Sequence, residues 1–257
     1  WDHVTPTHPE YQRFRRLMTA DVNAAVAGAA DAGADEIVVA DGHWASSNIL
    51  IEELDPRARL NSGSPSPFSM VQGIADGVNA AFFIGYHARI GSQNAILDHT
   101  WSSAAVANVW LNGLLTGEIG LNAALCGSFG APVLLLSGDQ TAAAEARELL
   151  GEVETAVVKQ ASGRFAAECL PPAVTAKLIR ESAARAVRRY QSGSAPAPLK
   201  VALPATVTVE FIYSNMADMA AILPAAVRLD ARRVAYTAAD MPTLYRAFRS
   251  LVGLANK

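Results

Sequence analysis

Two histidines follow predicted strands at almost the same offset. The apolar run Glu36–Ala40 leads into the tripeptide DGH, which ends at His43, and the run Ala80–Ile84 leads into GYH, which ends at His87. In an open α/β sheet the carboxyl ends of the strands form the ligand-binding edge. Two imidazoles on neighbouring strands at that edge suit a shared zinc ion, with a carboxylate completing the ligand set. A histidine after a strand is also a common hydrogen-bonded surface residue, so the spacing alone supports both interpretations about equally.

Two further side chains have the chemistry to join such a site. His99 follows Asp98 in the loop 91–101, and an imidazole that is not a ligand can act as base, acid or nucleophile because its unperturbed pKa is about 6.5. Spacing alone favours an ordinary loop histidine over a functional one. Glu118 falls in the first turn of the predicted helix Gly117–Phe129, where it is either a carboxylate ligand or a complement to the helix dipole.

The elements that must position these side chains alternate along the chain. Apolar residues spaced by three and four predict a helix over His8–Ala32, and short apolar runs predict buried strands. Asp139 follows one of these strands and is predicted to cap the next helix. Strand and helix alternate from Gly33 to about residue 190, which predicts an α/β fold with a mostly parallel sheet flanked by helices. The other predicted segments in this part are helical Phe68–Ala75, Ala142–Leu150 and Pro171–Gln191, the strands Pro132–Leu136 and Glu154–Val158, and a strand pair across Val106–Leu115.

The stretch Ser192–Pro198 (SGSAPAP) has the composition of a linker. It predicts a division into a metal-binding α/β catalytic domain, residues 1–191, and a smaller C-terminal α+β lobe, residues 199–257. In that lobe the pattern predicts strands over Leu199–Ile212 and Arg232–Thr237 and helices over Ser214–Ile222 and Met241–Leu254.

Composition excludes several classes of function. Of 257 residues, 51% are hydrophobic and 18% charged, which is ample for a buried core and excludes a disordered chain. The net charge of −3 and the lack of a basic cluster argue against nucleic acid or an anionic membrane as partner. No apolar run reaches the roughly 18 residues of a spanning helix. The two cysteines, Cys126 and Cys169, cannot form a disulfide framework, which predicts a cytoplasmic location.

Several motifs together resemble the M55 family of zinc peptidases, the DppA-type D-aminopeptidases. The resemblance extends over most of the chain to about residue 190 and continues more weakly to the end. The stretches that carry it are Asp41-Gly42-His43 with Asn48, PFSMVQG at 67–73, FIGYHAR at 83–89, Asp98-His99, Asn112-Gly113, GEIGLNA at 117–123, PVL at 132–134, Gly138-Asp139 and VKQ at 158–160.

The resemblance implies a zinc hydrolase with a binuclear site that removes amino-terminal residues, preferably of D configuration, from short peptides. His43, His87 and Glu118 match the metal ligands of the family, and His99 matches its catalytic histidine. The family also implies a homo-oligomer, a decameric ring with its active sites facing an inner channel.

The chain opens with Trp1 and no initiator Met. The resemblance places the family's first motif, a strand ending in Asp-x-Glu-Gly that supplies two more carboxylate ligands, upstream of Trp1. We therefore expect the complete protein to carry that strand. Without it, the alternative is an oligomeric peptide-binding protein with impaired catalysis. A second alternative, which the same ligands would serve, is a metal-dependent amidase acting on non-peptide amides.

Overall fold

The apolar runs of the chain form three sheets in this computed structural model, which describes residues 5–256. The expectation about the start of the chain concerns Trp1, which lies outside the described residues. The strands are β1 (Ile37–Ala40), β2 (Ala58–Asn61), β3 (Ala81–Phe83), β4 (Val106–Leu111), β5 (Leu114–Leu115), β6 (Val133–Asp139), β7 (Glu154–Ala161), β8 (Ala167–Cys169), β9 (Ala205–Phe211), β10 (Val227–Arg228) and β11 (Arg233–Ala238). The helices are α1 (Tyr11–Asp31), α2 (Glu118–Ser128), α3 (Gln140–Leu150), α4 (Pro172–Gln191), α5 (Ser214–Ala220) and α6 (Met241–Ala255).

A four-stranded sheet in the order β3-β6-β7-β8 leads to the candidate site. The strands β3, β6 and β7 run parallel, and β8 pairs antiparallel with β7 at the edge. Every residue of β6 is buried, as expected for a strand covered on both faces. The strands β1 and β2 form a separate parallel pair.

Helices cover both faces of the four-stranded sheet. Successive residues of β6 belong to different cores: Leu135 packs with α1 and α4, whereas Leu136 belongs to the larger core that includes residues of α2 and α3. The helices α1 and α4 lie against each other, and they approach most closely at Gly28, where a Cβ would collide with the Arg180 carbonyl oxygen. Packing on both faces holds β6 in place, and it thereby positions the chain segments that leave the sheet at its edge.

The third sheet has five strands in the order β10-β11-β9-β4-β5, and all its pairs are antiparallel. It joins the hairpin β4–β5 to strands from the far side of the linker-like stretch, with Val109 opposite Val209. Asn112 and Gly113 turn the hairpin with φ values of 49° and 81°. The helices α5 and α6 pack on β9 and β11. The division into residues 1–191 and 199–257 stays a prediction, and this sheet crosses it.

The α/β fold with helices on both sheet faces is confirmed, but parallel pairing covers less of the fold than predicted. The predicted helix over Phe68–Ala75 was wrong, since the chain makes two 3-10 turns, Ser69–Val71 and Ile74–Asp76, interrupted by Gly73 with φ of 98°. The short strands β2, β8 and β10 have two to four residues each and carry too little pattern to be predicted. In the part of the chain that the structure describes, no helix is long and apolar enough to span a bilayer.

Asp139 caps α3, as predicted, and it also holds a loop. Its carboxylate accepts hydrogen bonds from the backbone N–H groups of Thr141 and Ala142 at 3.0 and 2.8 Å, and from that of Ile96 at 2.7 Å. We expect Asp139→Ala to lower the free energy of unfolding by about 2 kcal/mol, because a cap and one further buried hydrogen bond are lost.

Asp240 provides the matched control, since it caps the exposed start of α6 through Thr243. Asp240→Ala should cost about 1 kcal/mol. Chemical denaturation of both variants measures the difference. Equal losses would show that the bond to Ile96 adds no stability.

Candidate metal centre

Three of the four predicted site residues meet at one point. One ligand atom from each of His87, His99 and Glu118 lies within 4.8 Å of the other two. The Nε2 atom of His87 is 3.5 Å from Oε2 of Glu118, and the Nε2 atom of His99 is 3.8 Å from Oε1. The two imidazole rings stack with their centroids 3.9 Å apart.

His87 is positioned by the chain leaving β3. The backbone N–H of Tyr86 donates to the Ser137 carbonyl at 2.9 Å, which extends the pairing with β6 beyond the strand. A Cβ at Gly138 would collide with the Tyr86 carbonyl oxygen, so the sheet accepts this close approach only with glycine there. At Gly85 the chain takes a positive φ of 74° and turns away. His87 therefore enters the site from a backbone segment that these contacts hold in place.

His99 lies in a loop that Asp98 and Arg164 hold in place. One carboxylate oxygen of Asp98 accepts from the Gly91 N–H at 2.7 Å, and the other accepts from Nε of Arg164 at 2.9 Å. The Arg164 carbonyl in turn accepts from the Leu97 N–H at 2.9 Å. The hairpin between β7 and β8 thereby fixes the loop that carries His99.

Glu118 projects from the first turn of α2 and is buried. Its Oε1 atom accepts a hydrogen bond from the Trp101 backbone N–H at 2.7 Å. A carboxylate in the first turn of a helix is favoured by the dipole, so both predicted roles of Glu118, dipole partner and candidate ligand, are compatible here.

The hydrogen bonds of the two imidazoles select the tautomer that a metal requires. The Nδ1 atom of His87 faces the Ala88 carbonyl at 3.0 Å, and that of His99 faces the Leu97 carbonyl at 2.6 Å. Because a carbonyl oxygen only accepts, Nδ1 carries the proton in both rings, and Nε2 is the atom of each ring left available to a metal. Tetrahedral zinc with bonds of about 2.0–2.1 Å places two ligand atoms about 3.3 Å apart. The Nε2 atom of His87 and the Glu118 carboxylate, 3.5 Å apart, therefore fit two positions of a zinc ion, and the Nε2 atom of His99 lies beside them.

Burial and mutual charge set the ionisation of the three groups. Burial alone would raise the pKa of Glu118, but the neighbouring imidazoles and the Trp101 N–H outweigh it and hold that pKa well below its usual value. Burial lowers the pKa of His87, but the Glu118 carboxylate outweighs it and raises that pKa. Burial, reinforced by His87, lowers the pKa of His99. The centre thus combines a carboxylate anion, Glu118, with an imidazole, His99, that is neutral near pH 7.

His43 is not part of this converging group. Its Nδ1 atom is 3.2 Å from Oδ1 of Asp41, and no group of three or more potential ligands within the described residues includes it. Burial opposes the charge of Asp41, but hydrogen bonds from His43 and Ile49 lower its pKa. The prediction that the strands before His43 and His87 are neighbours was wrong, because β1 pairs with β2 whereas β3 pairs with β6. A metal shared by His43 and His87 stays a prediction.

The structure adds residues for which spacing gave no role. Glu145 accepts from the Arg89 N–H at 2.8 Å, and its other oxygen is buried with no hydrogen-bond partner. Trp101 supplies the N–H to Glu118 from the end of the loop 91–101. Tyr86 and Asn122 lie in the motifs GYHAR and GEIGLNA, which is the one sequence signal that sets them apart from other core residues. A glutamate on a helix such as Glu145 carries no comparable signal.

Comparisons with known proteins give matches over nearly the whole chain. A family model described as peptidase M55, D-aminopeptidase, matches residues 1–250. A D-aminopeptidase of Bacillus subtilis strain 168 is 36% identical over 246 residues, which is 95% of this chain and 88% of that protein. The solved structure of the Zn-dependent D-aminopeptidase DppA from Bacillus subtilis, described as a self-compartmentalizing protease, matches with a TM-score of 0.94 and 35% identity. That match covers 100% of this chain and 92% of the other.

Proposed function

Because the chain belongs to the M55 family of D-aminopeptidases, we propose that it is a zinc-dependent aminopeptidase that hydrolyses short peptides with an amino-terminal D-amino acid. The observation that carries this proposal is the convergence of His87, His99 and Glu118 on one point. These residues come from three separate segments. The His87 nitrogen and the Glu118 carboxylate have a separation that suits zinc, and His99 lies next to them.

His87 and Glu118 are the proposed zinc ligands in the described structure. The His87 ring is hydrogen bonded to the carbonyl of the adjacent Ala88, and Glu118 accepts from the Trp101 N–H, which limits the reorganisation needed on binding. His43 is a further proposed ligand, on the strength of the family motif. Zinc bound there supplies positive charge that polarises the scissile carbonyl.

His99 is the proposed catalytic residue. Its Nδ1–H group is engaged by the Leu97 carbonyl, so Nε2 is the atom that takes up and returns a proton. The lowered pKa keeps the ring neutral near pH 7, as a base requires. When His99 takes a proton from the attacking nucleophile, its ring becomes an imidazolium. The neighbouring Glu118 carboxylate stabilises this positive charge. That imidazolium then protonates the leaving amine.

We further propose that the protein works as a homo-oligomer in the cytoplasm. The solved relative is described as self-compartmentalizing, and the near-complete match of the two folds supports a similar assembly here. A decameric ring is the specific arrangement that the family resemblance suggests. The two cysteines, Cys126 and Cys169, are both free thiols, in keeping with a reducing compartment.

Zinc removal tests the metal directly. We expect a chelator to abolish hydrolysis, and zinc to restore it. We also expect zinc at 100 times its dissociation constant to raise the free energy of unfolding by about 2.7 kcal/mol, since it binds the folded state. Magnesium at the same concentration is the control, because histidine nitrogen is a poor ligand for it. Unchanged hydrolysis by metal-free protein would contradict the proposal.

A substrate panel separates the proposed activity from its alternatives. The panel comprises D-Ala-D-Ala, L-Ala-L-Ala, D- and L-amino-acid amides, and N-acyl compounds, each tested on zinc-loaded protein. The proposal requires that the D-dipeptide and D-amides be cleaved faster than their L counterparts. Preferred cleavage of N-acyl compounds would indicate an amidase, and peptide binding without cleavage would indicate a binding protein.

A further inference from the structure

Asn122 is the buried point at which three separate segments meet beside the metal centre. It lies on α2 four residues after Glu118, so the two side chains share one face of the helix. It is 0% exposed, yet both ends of its amide are hydrogen bonded. A buried amide with its hydrogen bonds formed fixes the positions of its partners, because breaking those bonds leaves unpaired polar groups in the core.

The donor side of Asn122 leads to His87. Its Nδ2 atom donates to the Tyr86 hydroxyl at 2.9 Å and lies 3.3 Å from the Met70 sulfur. Tyr86 is the residue directly before His87, and its ring stacks on Phe83 with the centroids 4.4 Å apart. The Tyr86 side chain and backbone are thus held from opposite ends, by α2 and by β6, and this fixes the direction in which the chain enters His87.

The acceptor side of Asn122 leads to the C-terminal helix α6. The hydroxyl of Tyr245, a side chain only 1% exposed, donates to Oδ1 of Asn122 at 2.6 Å. Trp101 packs edge-on against Tyr245 and Phe248, with centroid distances of 5.8 and 5.1 Å. Since the Trp101 N–H donates a hydrogen bond to Glu118, α6 is connected to the proposed ligands through two residues, Asn122 and Trp101.

We propose that the hydrogen-bonded chain Tyr245–Asn122–Tyr86 is a positioning device that couples helix α6 to the geometry of the metal centre. Asn122 and Tyr245 act through other residues and are positioning residues. The inference rests on the proposed role of His87 and Glu118 as zinc ligands. It assigns a task in the zinc site to the C-terminal segment, whose helix α6 contributes none of the three converging side chains.

The coupling predicts that variants of Asn122 and Tyr245 lose zinc affinity even under conditions in which they remain folded. Residues that orient metal ligands typically contribute about 10–100-fold to metal affinity. We expect Asn122→Ala to weaken zinc binding about 10-fold, at the lower end of that range, because it acts through Tyr86. Tyr245→Phe removes one hydroxyl and keeps the ring that packs on Trp101, so its affinity should lie between that of Asn122→Ala and that of the parent.

Chelator competition on the full chain, at a temperature well below unfolding, measures the zinc dissociation constants. The absorption spectrum of the cobalt-substituted protein reports ligand geometry independently of activity. Ser182→Ala is the control, since it removes a fully buried hydroxyl on α4, outside this network. We expect both network variants to bind zinc more weakly and to change the cobalt spectrum, and the control to do neither.

The two proposals fail in different ways. If the parent chain binds zinc, and Asn122→Ala and Tyr245→Phe keep its affinity and cobalt spectrum, the positioning device is refuted while the metal centre stands. If the parent binds neither zinc nor cobalt, the proposed function itself fails. Should Asn122→Ala not fold, Tyr245→Phe alone decides, because its ring packing is preserved.

Discussion

His99→Ala is expected to lower kcat at least 100-fold while the zinc content of the protein stays at the parent level. A side chain placed to transfer a proton in the transition state typically contributes about 10²–10⁴-fold to the rate. His99 has the position and the protonation state for this task, with Nε2 directed at the centre and Nδ1–H held by the Leu97 carbonyl. Initial-rate kinetics on D-Ala-D-Ala and elemental analysis of the same samples measure the two quantities.

His8 supplies the matched control, because it precedes α1 and is not part of the converging group. His8→Ala should keep both turnover and zinc. Unchanged turnover in His99→Ala would remove that residue from the mechanism. Loss of zinc together with turnover would instead make His99 a third ligand, a role that its distance from Glu118 also permits.

Glu118→Gln is expected to remove zinc, and with it all hydrolysis. The substitution keeps the shape of the side chain and the acceptor for the Trp101 N–H, but it removes the negative charge that faces two imidazoles. We expect the affinity for zinc to fall by more than the 10–100-fold that typically follows loss of an outer partner, because Glu118 is itself a proposed ligand. Isothermal titration of metal-free protein with zinc measures the change.

Glu154→Gln is the control for this substitution. Glu154 pairs with Arg185 and Arg189 on α4, and the charge it loses belongs to an ion-pair cluster outside the metal centre. Zinc affinity should be unchanged in that variant. Parent-like zinc binding by Glu118→Gln would show that this carboxylate is not a ligand and would leave its role as that of a dipole partner.

The positions of His87 and Glu118 within their elements were predictable from sequence. Local patterns place one after a buried strand and the other in the first turn of a helix, and both placements are confirmed. The convergence of the two with His99 was not predictable from spacing. It depends on which strands pair, on the turn at Gly85 and on the hydrogen bond from Arg164 to Asp98. Strand pairing and this hydrogen bond join residues that are far apart in the chain.

Non-local pairing also explains the errors. The strands before His43 and His87 have the same local pattern, yet one pairs with β2 and the other with β6. Nothing in either strand specifies its partner, because apolar strands of similar length fit many neighbours. The five-stranded antiparallel sheet escaped prediction for the same reason, since β4 and β9 lie about a hundred residues apart in sequence.

The sheet that joins β4 to β9 has a consequence for cutting the chain. A protease that nicks the exposed residues 192–194 would sever one covalent bond and leave the ladder between the two strands intact, so the fragments would remain associated as a complemented pair. Synthesis of residues 1–191 alone would instead leave the edge of β4 that pairs with β9 without a partner, and an unpaired strand edge promotes aggregation. It would also deprive Asn122 of the hydroxyl from Tyr245.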